Sequence, residues 1–275
     1  MIRSGSKQRG LVTAVIVCFL SAVSGAAAGA QSAPPDFSSN ATAWAGIGGG
    51  ELIPVPGSPR PVTQDSRYKY TPNGQGQPTF RVSDITNPNL KQWAKDQMKK
   101  DNDEVLAGKI AFTARSSCKP GGVPGFITMG GGALFFLQSP TEVTMIFDGN
   151  AETRHIYLNV PHGAGKSSWY GDSIGHYEGD TLVIDTIGLN DKTFVDAYRT
   201  PHTDKIHVTE RWRLIDNGDI LEVLTRVDDP DAFNQPWQAL RRYQKSTRTL
   251  AENICSENNT NLFDYGTPVA NKPDF

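Results

Sequence analysis

Between Ala111 and Lys245 apolar and polar side chains alternate with a period of two, broken at short intervals by Gly, Asn and Asp. Such alternation predicts half-buried strands, and the breaks predict tight turns. The candidate strands are Phe135 to Leu137, Glu142 to Asp148, Thr153 to Leu158, Ser173 to Glu178 and Thr181 to Thr186. Lys205 to Ile215, Asp219 to Asp228 and Trp237 to Lys245 complete the set. Asp148-Gly149-Asn150, Glu178-Gly179-Asp180 and Asp216-Asn217-Gly218-Asp219 carry hairpin chemistry. Strands joined in sequence by tight turns favour antiparallel neighbours. About eight of them, each apolar on one side, close into an antiparallel up-and-down β-barrel of lipocalin or calycin type. A β-sandwich is the alternative. Long parallel runs with intervening helices are absent, which argues against an α/β enzyme fold.

One helix is predicted ahead of the strands, over 88–107. Asn87 reads as an Asx N-cap with Pro88 at the first helical position. Leu90, Trp93, Ala94 and Met98 fall at helical spacing, and Gly108 is the stop. Trp93 reads as a packing anchor. Residues 31–87 are rich in Gly, Pro, Ser, Asn and Thr, which predicts an extended arm that wraps the domain and is disordered to about Ser39. A nucleotide-binding role for Ile47-Gly48-Gly49-Gly50 lacks the strand–loop–helix context it would need. The barrel domain is expected over 108–250, followed by a tail over 251–275.

The N-terminus changes the picture of where the protein works. Arg3, Lys7 and Arg9 precede an apolar run from Leu11 to Val23, and Ala28-Gly29-Ala30 offers a small-x-small cleavage site. This pattern reads as a signal peptide over 1–30, and predicts a secreted or periplasmic protein. Beyond it no apolar run is long enough to span a membrane in the mature chain. The net charge of −2, with mixed signs throughout, supplies no basic stripe for nucleic acid. Cys118 and Cys255 are the cysteines left after cleavage, and in an exported protein they are expected to pair as one disulfide.

Candidate chemistry falls into two groups. Ile174, His176 and Glu178 share one strand face, read as inward, which places a titratable pair beside an apolar residue. Ile206, Val208, Glu210, Trp212 and Leu214 share another face, so Glu210 is a carboxylate among apolar neighbours and needs a cationic partner. Leu221, Val223, Thr225 and Val227 share a face on the next strand, and Trp237, Ala239, Arg241 and Tyr243 on the one after. Arg241 is therefore the candidate partner, with Arg211 or Arg213 as the alternatives. Trp212, Trp237 and Tyr243 would line an aromatic cavity, or simply pack the core.

His155, Tyr157, His162, Trp169, Tyr170, His176 and Glu178 form the second group, around a Gly-, Ser- and Lys-containing loop over Pro161 to Ser168. A loop at a barrel mouth is a usual place for a lid or for binding residues. His155, His176 and His202 with Glu178 or Asp204 are a weak metal set, because no HxH, HExxH or HxxxH spacing occurs. No GxSxG nucleophile elbow is present.

Ser173-Ile174-Gly175-His176-Tyr177-Glu178-Gly179-Asp180-Thr181-Leu182-Val183-Ile184-Asp185-Thr186 resembles the Ser-Ile-Gly-His-Trp-Glu-Gly-Asp-Thr-Leu-Val-Val-Asp-Thr motif of a widespread group of exported bacterial proteins. Tyr177 and Ile184 are the departures. The likeness extends to His202–Arg211, Asp229-Pro230 and Pro236-Trp237, and covers about Cys118 to Arg242. It implies a secreted β-rich domain and carries no catalytic role to any position. The residues themselves suggest a cofactor-independent enzyme acting on a small hydrophobic or aromatic molecule by acid–base catalysis, as a lyase, isomerase or hydrolytic step. His176, Glu178, Glu210 and His155 are the catalytic candidates. Trp169, Tyr170, Trp212, Trp237, Arg241, Tyr243 and His162 are the substrate-binding candidates. A periplasmic binding or carrier barrel without catalysis fits the same residues.

Overall fold

The computed structural model describes residues 33–38, 43–68, 81–107, 114–115, 118–128, 132–149, 151–164 and 167–254, with Met1 and Gly5. The signal-peptide segment apart from Met1 and Gly5, Cys255 and the rest of the tail lie outside the described residues. Cys118 is disulfide-bonded, and its expected pairing with Cys255 therefore also falls outside them.

All eight strands expected from the alternation are present: β3 (Ala133–Gln138), β4 (Glu142–Phe147), β5 (Glu152–Leu158), β6 (Asp172–Glu178), β7 (Thr181–Ile187), β8 (His207–Ile215), β9 (Ile220–Asp228) and β10 (Trp237–Ser246). Two more come from the Gly- and Pro-rich arm, β1 (Ala43–Gly46) and β2 (Ile53–Pro54). The order is β1-β3-β4-β5-β6-β7-β8-β9-β10, and β10 pairs back onto β1, so nine strands close a barrel; β2 lies on β10. Closure removes the free sheet edge that a row of unpaired amides would leave.

The arm corrects the reading of residues 31–87. Ala43-Trp44-Ala45-Gly46 is too short to show a period, yet it is the strand that seals the barrel between β3 and β10. Phe37, inside the stretch expected to be disordered, is fully buried; its amide donates to Gln138 Oε1 at 2.6 Å. The indole of Trp44 donates to the Phe37 carbonyl at 2.9 Å.

A second correction concerns strand direction. β5 and β6 pair in parallel, Tyr157 with Ile174 and Leu158 with Gly175. Parallel neighbours need a crossover of about a dozen residues, and the segment 159–171 supplies one in place of a hairpin. It returns to the barrel at Gly171 (φ 65), where a Cβ would collide with the Ile187 carbonyl. Gly171→Ala is thus expected to destabilise the fold by about 1 kcal/mol or more, read as a lower denaturant midpoint at unchanged slope.

The helix α1 spans Gln92–Leu106 and starts later than expected, with Lys91 as its N-cap residue. Asn87 instead closes an Asx turn, its Oδ1 accepting from the Asn89 amide at 2.9 Å, which keeps Pro88 outside the helix. Ala94 and Met98 are buried beneath α1, whereas Trp93 is 41% exposed and donates to the Asp231 carbonyl. A short second helix, α2, covers Gly125–Thr128.

The core has two apolar clusters. One gathers Trp44, Phe136, Met145, Leu182, Ile184, Trp212 and Tyr243, among others, on the inner face of the barrel. The second gathers Met98, Leu189, Val195, Phe233 and Trp237 with Val208 and Val227. Burying each such side chain contributes about 1.5–3 kcal/mol.

Candidate functional site

Period two fixes which residues share a strand face, and burial decides which face is inside. On β8 the inward set is Val208, Glu210 and Trp212; on β9 it is Val223, Thr225 and Val227; on β10 it is Trp237, Ala239, Arg241 and Tyr243. These faces are as expected. On β6 the expectation is inverted. Ser173 and Gly175 are buried, whereas His176 and Glu178 stand on the outer face with side chains 52% and 48% exposed. The reason is Arg154. Its guanidinium, fully buried, needs hydroxyl partners at that level and takes Ser173 Oγ and Thr186 Oγ1. His155 is likewise outside, 53% exposed and 2.5 Å from Glu142 Oε1.

Inside the barrel, Arg154 Nη2 lies 2.6 Å from Glu210 Oε2, and neither side chain has any exposure. Arg154 is therefore the cation that Glu210 requires, in place of Arg241, Arg211 or Arg213. Arg211 and Arg213 point outward, to Glu178 and Glu222. A second inner pair joins Arg115 to Glu152 at 2.6 Å. Tyr170 Oη donates to Glu152 at 2.7 Å, so Tyr170 serves this pair, and burial beside that carboxylate pushes its phenol well up. Trp212 stacks on Tyr243 with ring centroids 5.9 Å apart, and Tyr243 Oη donates to the Ile127 carbonyl at 2.8 Å. Trp237 belongs to the other apolar cluster, edge-on to Phe233. Trp169 is half-buried in the crossover.

The outer wall carries a different arrangement. His162, from the crossover, lies over β6 and β7 with Nδ1 3.1 Å from Asp172 Oδ2 and Nε2 2.7 Å from Asp185 Oδ1. The other oxygen of Asp185 is 2.7 Å from His207 Nε2 on β8. The result is a continuous chain, Asp172–His162–Asp185–His207, in which one carboxylate is shared by two imidazoles. Side-chain exposure rises along it from 22% at His162 to 41% at His207. Burial alone would lower the His162 imidazole, but the two carboxylates outweigh it and raise it. Burial opposes ionisation of Asp185, yet the His162 and His207 contacts hold its carboxyl below the ordinary range. The β9 side chains nearest in register are Asp228, opposite His207, and Arg226, opposite Thr209; they bond each other at 2.9 Å.

The sequence pattern singled out His162 but gave no role to His207, Asp185, Asp172 or Arg154. Period two does put His207 and Arg211 on one face of β8, and Asp185 opposite in phase to Ile184. Only the crossover brings His162 to them. The proposed metal set is not assembled. His202 is buried between Thr193 and the Thr203 carbonyl, His155 and His176 are elsewhere on the outer wall, and no group of three or more His, Cys, Asp or Glu among the described residues could hold a metal ion. A separate surface pocket of about 360 Å³ is lined by Ile47, Gly48, Glu51, Ile53, Asp216 and Arg242, outside the barrel wall. No helix among the described residues is long and apolar enough to cross a membrane. No protein family, characterised protein or solved structure matches the chain, so the site rests on its own geometry.

Proposed function

We propose that this is an exported enzyme that acts on a small hydrophobic or aromatic molecule by acid–base catalysis, with its base on the outer barrel wall. The observation that carries this reading is the Asp185 carboxylate, held 2.7 Å from His162 on one side and 2.7 Å from His207 on the other. His162, between two carboxylates, stays protonated to higher pH than a free imidazole. It fixes Asp185, and Asp185 accepts from His207 Nε2–H. That bond sets the tautomer with a lone pair on His207 Nδ1, the form that takes a proton from a substrate. His207 is the catalytic base; Asp185 and His162 are positioning residues. The signal-peptide pattern and the likeness of Ser173–Thr186 to an exported family support the export part.

A base oriented in this way is expected to open 5-nitrobenzisoxazole, an aromatic probe whose ring breaks on loss of one proton. His207→Gln keeps a donor for Asp185 and removes the base, so the rate should fall by about 10²–10⁴-fold. His176→Gln should leave it unchanged. Equal rates for the wild type and His207→Gln would defeat the assignment.

A second reading, a binding barrel without catalysis, is favoured by a separate observation. Several inward polar atoms on β8, β9 and β10 have no hydrogen-bond partner among the described residues.

A further inference from the structure

The strand register maps those atoms. Reading across β8, β9 and β10, the inward rows are Val208–Val227–Trp237, then Glu210–Thr225–Ala239, then Trp212–Val223–Arg241. Thr225 is the centre of this patch, with Glu210 and Ala239 beside it and Trp212, Trp237 and Arg241 at three of its corners. Neighbouring strands lie about 4.8 Å apart, so the backbone positions of this patch span about two strand spacings, with the Arg241 guanidinium turned toward Ile47 and Trp212 stacked on Tyr243.

Among the described residues, five nitrogens of this patch and its surroundings have no hydrogen-bond partner: Trp212 Nε1, Trp237 Nε1, Arg241 Nε and Nη2, and Arg154 Nη1. Against them stand one carboxylate oxygen, Glu210 Oε1, and the Thr225 hydroxyl, which can do either. Donors are in excess. The charges agree. Arg154 is neutralised by Glu210 and Arg115 by Glu152, but Arg241, 1% exposed, has no carboxylate within ion-pair distance among the described residues. Its contacts are the carbonyls of Ile47 and Glu51 and the ring of Tyr243. A buried guanidinium without a counter-ion is costly, and an oxyanion is the group that would offset it.

We infer that this patch is a binding site for a small aromatic monocarboxylate, whose carboxylate bonds Arg241 and whose ring packs among Val208, Val223, Val227 and the indoles. This rests on the second reading above and names the ligand class for it. The topology also supplies an entrance. Beside β10 the wall consists of the short β1, which pairs with the last four residues of β10, then the strap from Ile47 to Glu51, and then β2 on Ala239 and Leu240. Gly48, Gly49 and Gly50, all at positive φ, form that strap, and Arg241 holds it by the two carbonyls flanking them. A carboxylate that takes over Arg241 would release the strap.

The test is a titration of the mature protein with benzoate and, in parallel, with benzyl alcohol, followed by tryptophan emission and calorimetry. Benzoate is expected to saturate a single site, shift the indole emission and bind about tenfold or more tighter than the alcohol. Arg241→Gln should erase that preference, and His207→Gln should leave it intact. If Arg241→Gln does not fold, Thr225→Val serves, and should weaken benzoate several-fold. Equal affinity for the two probes would overturn the carboxylate assignment while leaving a binding barrel standing. Binding of neither would overturn both, and benzoate binding unchanged in a folded Arg241→Gln or Thr225→Val would place it elsewhere.

Discussion

Glu210→Ala is expected to lower the free energy of unfolding by about 3–5 kcal/mol, with a fall in melting temperature on the order of 10 °C. The substitution removes the one carboxylate that faces Arg154 at 2.6 Å and leaves a fully buried guanidinium without it. Ser173 and Thr186 would still bond Arg154, but hydroxyls carry no charge to set against it. The cost is therefore the uncompensated cation, more than the lost attraction. The double variant Arg154→Met, Glu210→Leu separates the two, because it removes both charges and keeps the volume. It should recover most of the stability, giving a strongly non-additive double-mutant cycle. A single-variant loss below about 1 kcal/mol would show that the pair is solvated in solution.

Asp185→Asn is expected to reduce base-catalysed turnover by about 10²-fold or more, and to flatten the dependence of stability on pH. The amide can donate as well as accept, so it no longer selects the His207 tautomer with Nδ1 free. The pH effect follows from two opposite shifts. The His162 imidazole is raised above its ordinary 6.5, so its contribution is complete below that value and is lost as pH rises through the folded value. The Asp185 carboxyl is lowered below its ordinary 3.8, so its contribution is complete above that value and is lost as pH falls through the folded value. The relay thus stabilises most between those two ordinary values, and less on either side. The charged groups facing it are Asp172 from β6, Arg226 and Asp228 from β9, and the two imidazoles themselves. Melting curves of the wild type and the variant across pH 3–9, a span set by the ordinary carboxyl and imidazole ranges, should lie furthest apart between those two ranges and draw closer toward both ends. Parallel curves at all pH values would contradict a titrating relay.

The two centres differ in how far they could be read from residues alone. Alternation located eight strands and assigned the inward rows of β8, β9 and β10, because several bulky apolar side chains on one face of each strand leave no doubt about which side meets the core. Glu210, Trp212, Trp237, Arg241 and Tyr243 were legible for that reason. On β6 the same rule favoured the wrong face, because Ile174 offered an inward anchor for His176 and Glu178, whereas the inner face carries Ser173, Gly175 and Tyr177. The choice was made by Arg154, a strand away, whose buried charge needs Ser173 inside and so sends His176 and Glu178 out.

What the sequence by itself determined is the alternation, and with it a β-barrel whose inner face mixes indoles, valines and a carboxylate. Only the tertiary structure decided the closing strand, the parallel β5–β6 step, the partner of Glu210 and the meeting of His162 with Asp185 and His207. Side-chain period is a local property set by backbone pleat. Closure, crossover and ion pairing depend on which distant segments the closed sheet brings within a few ångströms, and no local pattern encodes that distance.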